Sequence, residues 1–193
     1  MRALTLGFLI GISLLVLSSC QSTTVRVEFE LKKFLNAKGI TQTGSKCSRL
    51  GNACSHKITG YVDTSVPKKG WPGTKGVETW PVILEQKDNS LTMNKVISSD
   101  VCSGNFKEAV LRVHIVDAGG ALSSAKLVED FECLSGANTN IAPNEMQATW
   151  SEEKSCQAKF NPDNNRLTFK VRVYALPAAS CGRPPARPSG KGH

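Results

Sequence analysis

The sequence predicts an all-β chain, an antiparallel β-sandwich of about eight strands stabilised by disulfides. Three observations point there. Apolar and polar residues alternate with a period of two in several segments between residues 23 and 175. Clusters of turn formers separate those segments, drawn from 16 Gly and 9 Pro in the chain. Six cysteines, Cys47, Cys54, Cys102, Cys133, Cys156 and Cys181, follow a leader-like N-terminus, which places them in an oxidising compartment. At 193 residues and 40% hydrophobic content the chain is long enough for one domain with a real core, and too short for a multi-domain enzyme with a large cofactor fold.

Residues 1–20 carry one basic residue, Arg2, then an apolar run to Leu17, then Ser18 and Ser19. That is the pattern of a cleaved secretory signal peptide, so the mature protein is expected to be secreted. Leu17-Ser18-Ser19-Cys20 also has the look of a bacterial lipoprotein signal, in which Cys20 would be lipidated. Either way six cysteines remain, enough for three disulfides among fifteen possible pairings. Zinc is disfavoured, because Cys47 and Cys54 have no second close pair to complete a site.

The domain is expected over residues 21–180. Val25-Arg26-Val27-Glu28-Phe29-Glu30-Leu31 and Leu167-Thr168-Phe169-Lys170-Val171-Arg172-Val173-Tyr174-Ala175 alternate without fault, as strands with one wet face would. Weaker strand candidates are residues 56–64, 77–85, 90–97, 109–117, 125–132, 146–150 and 157–160. Residues 181–193, with Arg183, Arg187 and Lys191 among Pro and Gly, read as a disordered basic tail. The formal net charge of +8 is mild once that tail is set aside, and no recognition helix or base-stacking aromatics accompany it; nucleic acid is not an expected partner.

Catalysis finds no support in the pattern. Of three His, His56 follows Cys54 closely, His114 sits at an outward strand position and His193 is terminal; no nucleophile, metalloprotease or phosphate-loop motif occurs. The expectation is a non-enzymatic protein. The most suggestive surface segment is Pro67-Lys68-Lys69-Gly70-Trp71-Pro72-Gly73-Thr74-Lys75-Gly76. Lys68, Lys69, Trp71 and Lys75 form a candidate membrane or partner loop, since Trp favours the membrane interface and Lys favours anionic headgroups. The competing role, which the sequence favours, has Trp71 folded back as a core anchor above solvated lysines. Trp80 reads as core.

Val27-Glu28-Phe29-Glu30-Leu31-Lys32-Lys33-Phe34-Leu35-Asn36-Ala37-Lys38-Gly39, followed by Thr43-Gly44-Ser45-Lys46-Cys47, resembles the start of the amino-terminal domain of Notch ligands of the Delta, Serrate and Jagged type. The central strand 109–117 and the close, Trp150 through Val173, are similar as well. The resemblance implies a β-sandwich of the C2 type that contacts a receptor ectodomain and engages phospholipid, in some members with calcium. Asp63, Asp117 and Asp163, at or near strand ends, would then be the calcium candidates, although no D-x-D pattern accompanies them. The sequence departs from the family in having a single Cys47 where an adjacent pair is usual and in lacking the cysteine-rich and epidermal-growth-factor modules. It therefore implies a soluble modulator of Notch signalling. The alternative is a secreted or lipid-anchored domain with an unrelated inhibitor or envelope role.

Overall fold

Strand side chains point alternately to opposite faces, so a strict period of two can bury one face completely. The computed structural model describes residues 24–47, 53–119, 124–137 and 139–184, and the leader, Cys20 and the tail beyond residue 184 lie outside the described residues. Ten strands form two sheets. In the first, Val25–Asn36 (β1) is flanked by Ser90–Val101 (β4) and Asn165–Ala175 (β10), and two short strands, Ile141–Ala142 (β7) and Lys154–Ser155 (β8), pair with β10. In the second, the order is Val82–Lys87 (β3), Ser55–Asp63 (β2), Val110–Asp117 (β5), Lys126–Leu134 (β6) and Gln157–Ala158 (β9). All ladders are antiparallel except β7 on β10.

The core lies between the sheets. Val25, Val27, Phe29 and Leu31 of β1 and Leu167, Phe169, Val171 and Val173 of β10 face Ile58, Leu111, Val113, Ile115 and Phe131. Phe29 and Phe169 meet at 5.6 Å between ring centroids. Phe34 is buried too, three residues after Leu31, which breaks the period. A bulge between Leu31 and Lys33 restores the phase on both neighbouring ladders. Asn94, at φ 49°, lies within the matching irregularity of β4.

The expected wet face of β1 and β10 is covered. Arg26 and Glu28 are buried although they point away from the core. Arg26 pairs with Asp100 at 2.7 Å and donates to the Arg183 carbonyl, while the Gly182 N–H donates to Asp100; the Cys102–Cys181 disulfide holds that segment in place. Glu28 accepts from Arg172 at 2.7 Å and from the Tyr174 hydroxyl at 3.0 Å. Burial first, and then the charge of Glu28, push that hydroxyl up to about 12. Buried charges persist only when paired and hydrogen-bonded, and here both carboxylates are.

At one end of the sandwich a polar network ties the sheets together. Glu129 of β6, fully buried, accepts from the N–H groups of Asp130, Lys159, Phe160 and Asn161 and from the Asn165 amide. Asn165 accepts from Asn164, and Asn164 donates to Asn36 of β1. This explains why candidate strand 157–160 shrinks to two residues: the Lys159 N–H is shared between the Asp130 carbonyl of β6 and Glu129, and the Phe160 N–H turns to Glu129. Candidate strand 77–85 also changes. Residues Val77–Thr79 form a single 3-10 turn, and Pro81, which has no N–H, delays the strand to Val82. Residues 146–150 are not a strand; Glu145–Gln147 is a 3-10 turn capped by the Asn144 side chain. The remaining disulfides are Cys47–Cys54 and Cys133–Cys156.

His56 is 1% exposed, its ring lies edge-on to Phe34 at 4.9 Å, and neither nitrogen has a hydrogen-bond partner. Burial holds its pKa at about 4, against the opposing pull of Asp117 and Asp88. The unfolded chain therefore takes up a proton below about 6.5 while the folded chain does not. His56 contributes nothing above that pH and costs stability progressively between about 6.5 and 4, by about 3 kcal/mol in all. Urea unfolding near neutral pH and near pH 4 checks this: His56→Leu should flatten the acid loss by that amount.

Candidate functional site

The outward face of the second sheet is built by register. Tyr61 stands opposite Arg112, Arg112 opposite Glu132, and His114 opposite Asp130. Cross-strand neighbours of opposite charge attract. Glu132 pairs with Arg112, and Asp130 lies 2.7 Å from His114 Nδ1. Arg112 is 0% exposed because the connection between β2 and β3, residues 64–81, folds back over it. Its guanidinium donates to the Lys69 carbonyl at 2.5 Å and the Pro67 carbonyl at 3.3 Å, and its Nε is 3.9 Å from Asp63. One buried cation thus joins two carboxylates to the backbone of the loop.

Asp63 and Tyr61 complete the attachment. Asp63 Oδ1 accepts from the Ser65 and Val66 N–H groups, each at 3.1 Å, and the Tyr61 hydroxyl accepts from the Thr74 N–H at 2.9 Å. Gly73, at φ +90°, sits so close over them that a Cβ would come within 2.4 Å of the Tyr61 hydroxyl oxygen. Glycine is required there by space as well as by conformation. Trp80 is buried, but between the loop and the outer face and not in the main core: it packs on Tyr61 at 5.0 Å and on Trp71 at 5.2 Å, and its indole N–H donates to the Lys75 carbonyl. Trp71 is half-buried, with Lys159 Nζ 5.2 Å from its ring centre.

Between residues 67–71 of this loop and β9 runs a groove of about 530 Å³. Trp71, Leu134 and Ala158 give it apolar surface; Glu108, Asp130 and Glu132 are its carboxylates; Lys68, Lys69 and Lys159 are its cations. Lys68 is 86% exposed and 3.3 Å from Glu108, an ion pair of little energetic weight.

Of the residues singled out in the sequence, Lys68, Lys69 and Trp71 come together on this groove, while Lys75 stands apart from it, over the Tyr61 ring at 5.3 Å. The aspartates do not converge. Asp63 and Asp117 lie at opposite ends of the β2–β5 ladder, Asp63 facing its own loop and Asp117 accepting from the Ser55 N–H, and Asp163 is exposed in a turn. Among the described residues no group of three or more His, Cys, Asp or Glu side chains is placed to hold a metal ion. Arg112, Asp130, Glu132 and Lys159 were not singled out. Arg112 did leave a trace: it is a charged residue in an otherwise apolar stretch, Ala109-Val110-Leu111-Arg112-Val113.

No protein-family model matches the chain, and no curated protein matches it by sequence. Solved structures do. The chain is similar to a C2-domain protein from Ramazzottius varieornatus, with 24% identity, 86% of this chain and 96% of that one covered, and a TM-score of 0.73. It is similar to Drosophila C2-DSL-EGF1 at 14% identity, over 78% of this chain and 67% of that one, with a TM-score of 0.51. Human GIVD cytosolic phospholipase A2 gives 9% identity and a TM-score of 0.50, over 80% of this chain and only 17% of the enzyme. At these identities the likeness establishes the fold, a C2-like β-sandwich.

Arg112→Met keeps the length of the side chain and removes its charge, leaving buried Asp63 without a countercharge and Glu132 to solvent. Stability in urea unfolding should fall by about 3–5 kcal/mol. In a milder Arg112→Lys variant, which loses the forked donors, hydrogen exchange of the Val66, Gly73 and Thr74 amides should rise before that of β5.

Proposed function

We propose that this chain is an extracellular, non-enzymatic C2-like domain that binds a protein receptor ectodomain through the groove beside Trp71, acting in or modulating Notch signalling. The observation that carries the reading is the fixed Trp71, half-exposed between Lys69 and Lys159 over a floor that contains Asp130 and Glu132. A rigid aromatic amid charges of both signs suits a folded protein partner better than a lipid surface, because interfaces concentrate their energy in such anchored aromatics. A loop held by Arg112 also loses little freedom on docking.

Three disulfides support the extracellular setting. The fold shared with Drosophila C2-DSL-EGF1, whose name gives a C2 domain before further modules, agrees with the order of modules that the sequence resemblance implies for Notch ligands. A second reading, weak attachment to anionic phospholipid, rests on the exposed Lys68, Lys69 and Lys75. Each would contribute about 1 kcal/mol near a charged membrane, and salt would screen it.

Binding of the purified protein to a Notch receptor ectodomain, beside phosphatidylserine and phosphatidylcholine vesicles at two salt concentrations, tests both. Receptor binding should weaken roughly tenfold or more in Trp71→Ala and in Lys159→Glu, as for an interface hot spot. Vesicle binding without receptor binding would replace the first reading by the second. Vesicle binding unchanged when Lys68, Lys69 and Trp71 are all Ala would remove the loop from the second.

A further inference from the structure

A different groove lies on the other side of the molecule, along β10. It is bounded by residues 135–137, 139–142 and 147–154 and by Val171, Arg172 and Val173, and holds about 490 Å³, within the range of small-ligand sites. We propose that it binds a neutral, polyhydroxylated ligand, a saccharide, with Trp150 as the stacking platform.

The platform is held still. Arg172 lies over the Trp150 ring at 4.7 Å and is itself gripped by Glu28 at 2.6 Å and Glu145 at 3.0 Å. Trp150 is half-buried, so part of the indole remains open to the groove it lines. The C–H face of a sugar ring stacks on an aromatic surface, as apolar groups do generally.

The walls select for a ligand without charge. Asn140, Gln147 and Thr149 present amide and hydroxyl groups, which donate and accept alike and so match sugar hydroxyls. The charges at the groove balance: Arg172 lies between two carboxylates, Glu28 and Glu145, so with Lys154, which gives one of its three donors to the Ser135 carbonyl at 3.3 Å, two cations stand against two anions. An anion would meet no net countercharge. A purely apolar ligand would leave the amides covered and unpaired, which costs more than it gains. Gly136, at φ +94°, lines the groove with no side chain to narrow it. Both halves of a sugar, its C–H face and its hydroxyls, thus find complementary surface within one groove.

Calorimetric titration of the whole chain with cellobiose, lactose, N,N′-diacetylchitobiose and fucosyllactose tests the assignment, with sialyllactose as the anionic comparison. At least one neutral sugar should bind saturably, with an affinity insensitive to salt. Trp150→Ala should weaken it roughly tenfold, Trp150→Phe should retain most of it, and Trp71→Ala should leave it unchanged. Gln147, exposed on its turn, provides a variant that does not disturb the Arg172 stack, and Gln147→Ala should weaken the same sugar measurably. No saturable binding to any neutral sugar, unaltered binding in both Trp150→Ala and Gln147→Ala, or preference for sialyllactose would overturn the proposal.

Discussion

The charge of Arg112, a guanidinium removed from water on the outward side of β5, has to be neutralised where it stands. Two carboxylates on the flanking strands do this, and two loop carbonyls accept from its terminal nitrogens, while Nε, 3.9 Å from Asp63, makes no hydrogen bond. The dependence then runs outward. Because residues 64–81 lie on the sheet and exclude water, the guanidinium must find its partners there. Because these residues lie close, Gly73 carries no side chain; and because the loop is pinned, Trp71 is presented at one fixed place. A surface ion pair such as Lys68 with Glu108 could vanish without consequence, whereas a buried charge stripped of its partner costs several kcal/mol. The hierarchy of the candidate site follows from that difference in magnitude.

The same rule shapes the opposite side. Arg26 and Glu28 look like the solvated half of an alternating strand, but in a central strand crossed by two covering segments they become buried charges that need partners. Asp100, Arg172, Tyr174, and backbone from the segment anchored at Cys181 supply them. Glu129 is the extreme case, a carboxylate surrounded by N–H donors from its own strand and the turn after β9. At Arg26 and Glu129 polar burial ties a loop to a strand, and at Glu28 it ties β1 to β10.

Most of the fold was legible in the sequence, because period-two alternation is a local property, and β1, β2, β5, β6 and β10 fall close to where it places them. What was not legible depends on contacts between distant segments. Candidate strand 157–160 could not be shortened without knowing that Glu129 would claim its N–H groups. The wet face of β1 could not be called buried without the segments that lie over it. Cysteine pairing is likewise a matter of three-dimensional proximity, and spacing alone leaves it open. At the site, the sequence brought Lys68, Lys69 and Trp71 into view through their composition but missed Arg112, since only register reveals that it faces Glu132. Strand-end aspartates were visible for the same compositional reason, yet the β2–β5 register sets Asp63 and Asp117 at opposite ends of the sheet.

The two grooves differ in the one property that decides what each can hold, the state of its charges. Beside Trp71, Lys69 and Lys159 are exposed, with no carboxylate close to either ammonium among the described residues, so an incoming group of opposite sign meets cations that need not be released from anything first. Beside Trp150, the cations Arg172 and Lys154 are matched in number by Glu28 and Glu145, so no net charge is left over for a ligand. Electrostatic complementarity favours a charged protein surface at the first and is absent from the second, where stacking and hydrogen bonding must suffice. Both aromatics are held in place, Trp71 by its anchored loop and its contact with Trp80 and Trp150 by Arg172, which limits the order lost on binding. A C2-like sandwich has two outer sheet faces, and in this chain each is organised around an arginine, Arg112 on one and Arg172 on the other, whose carboxylate partners determine what charge is left over for a ligand.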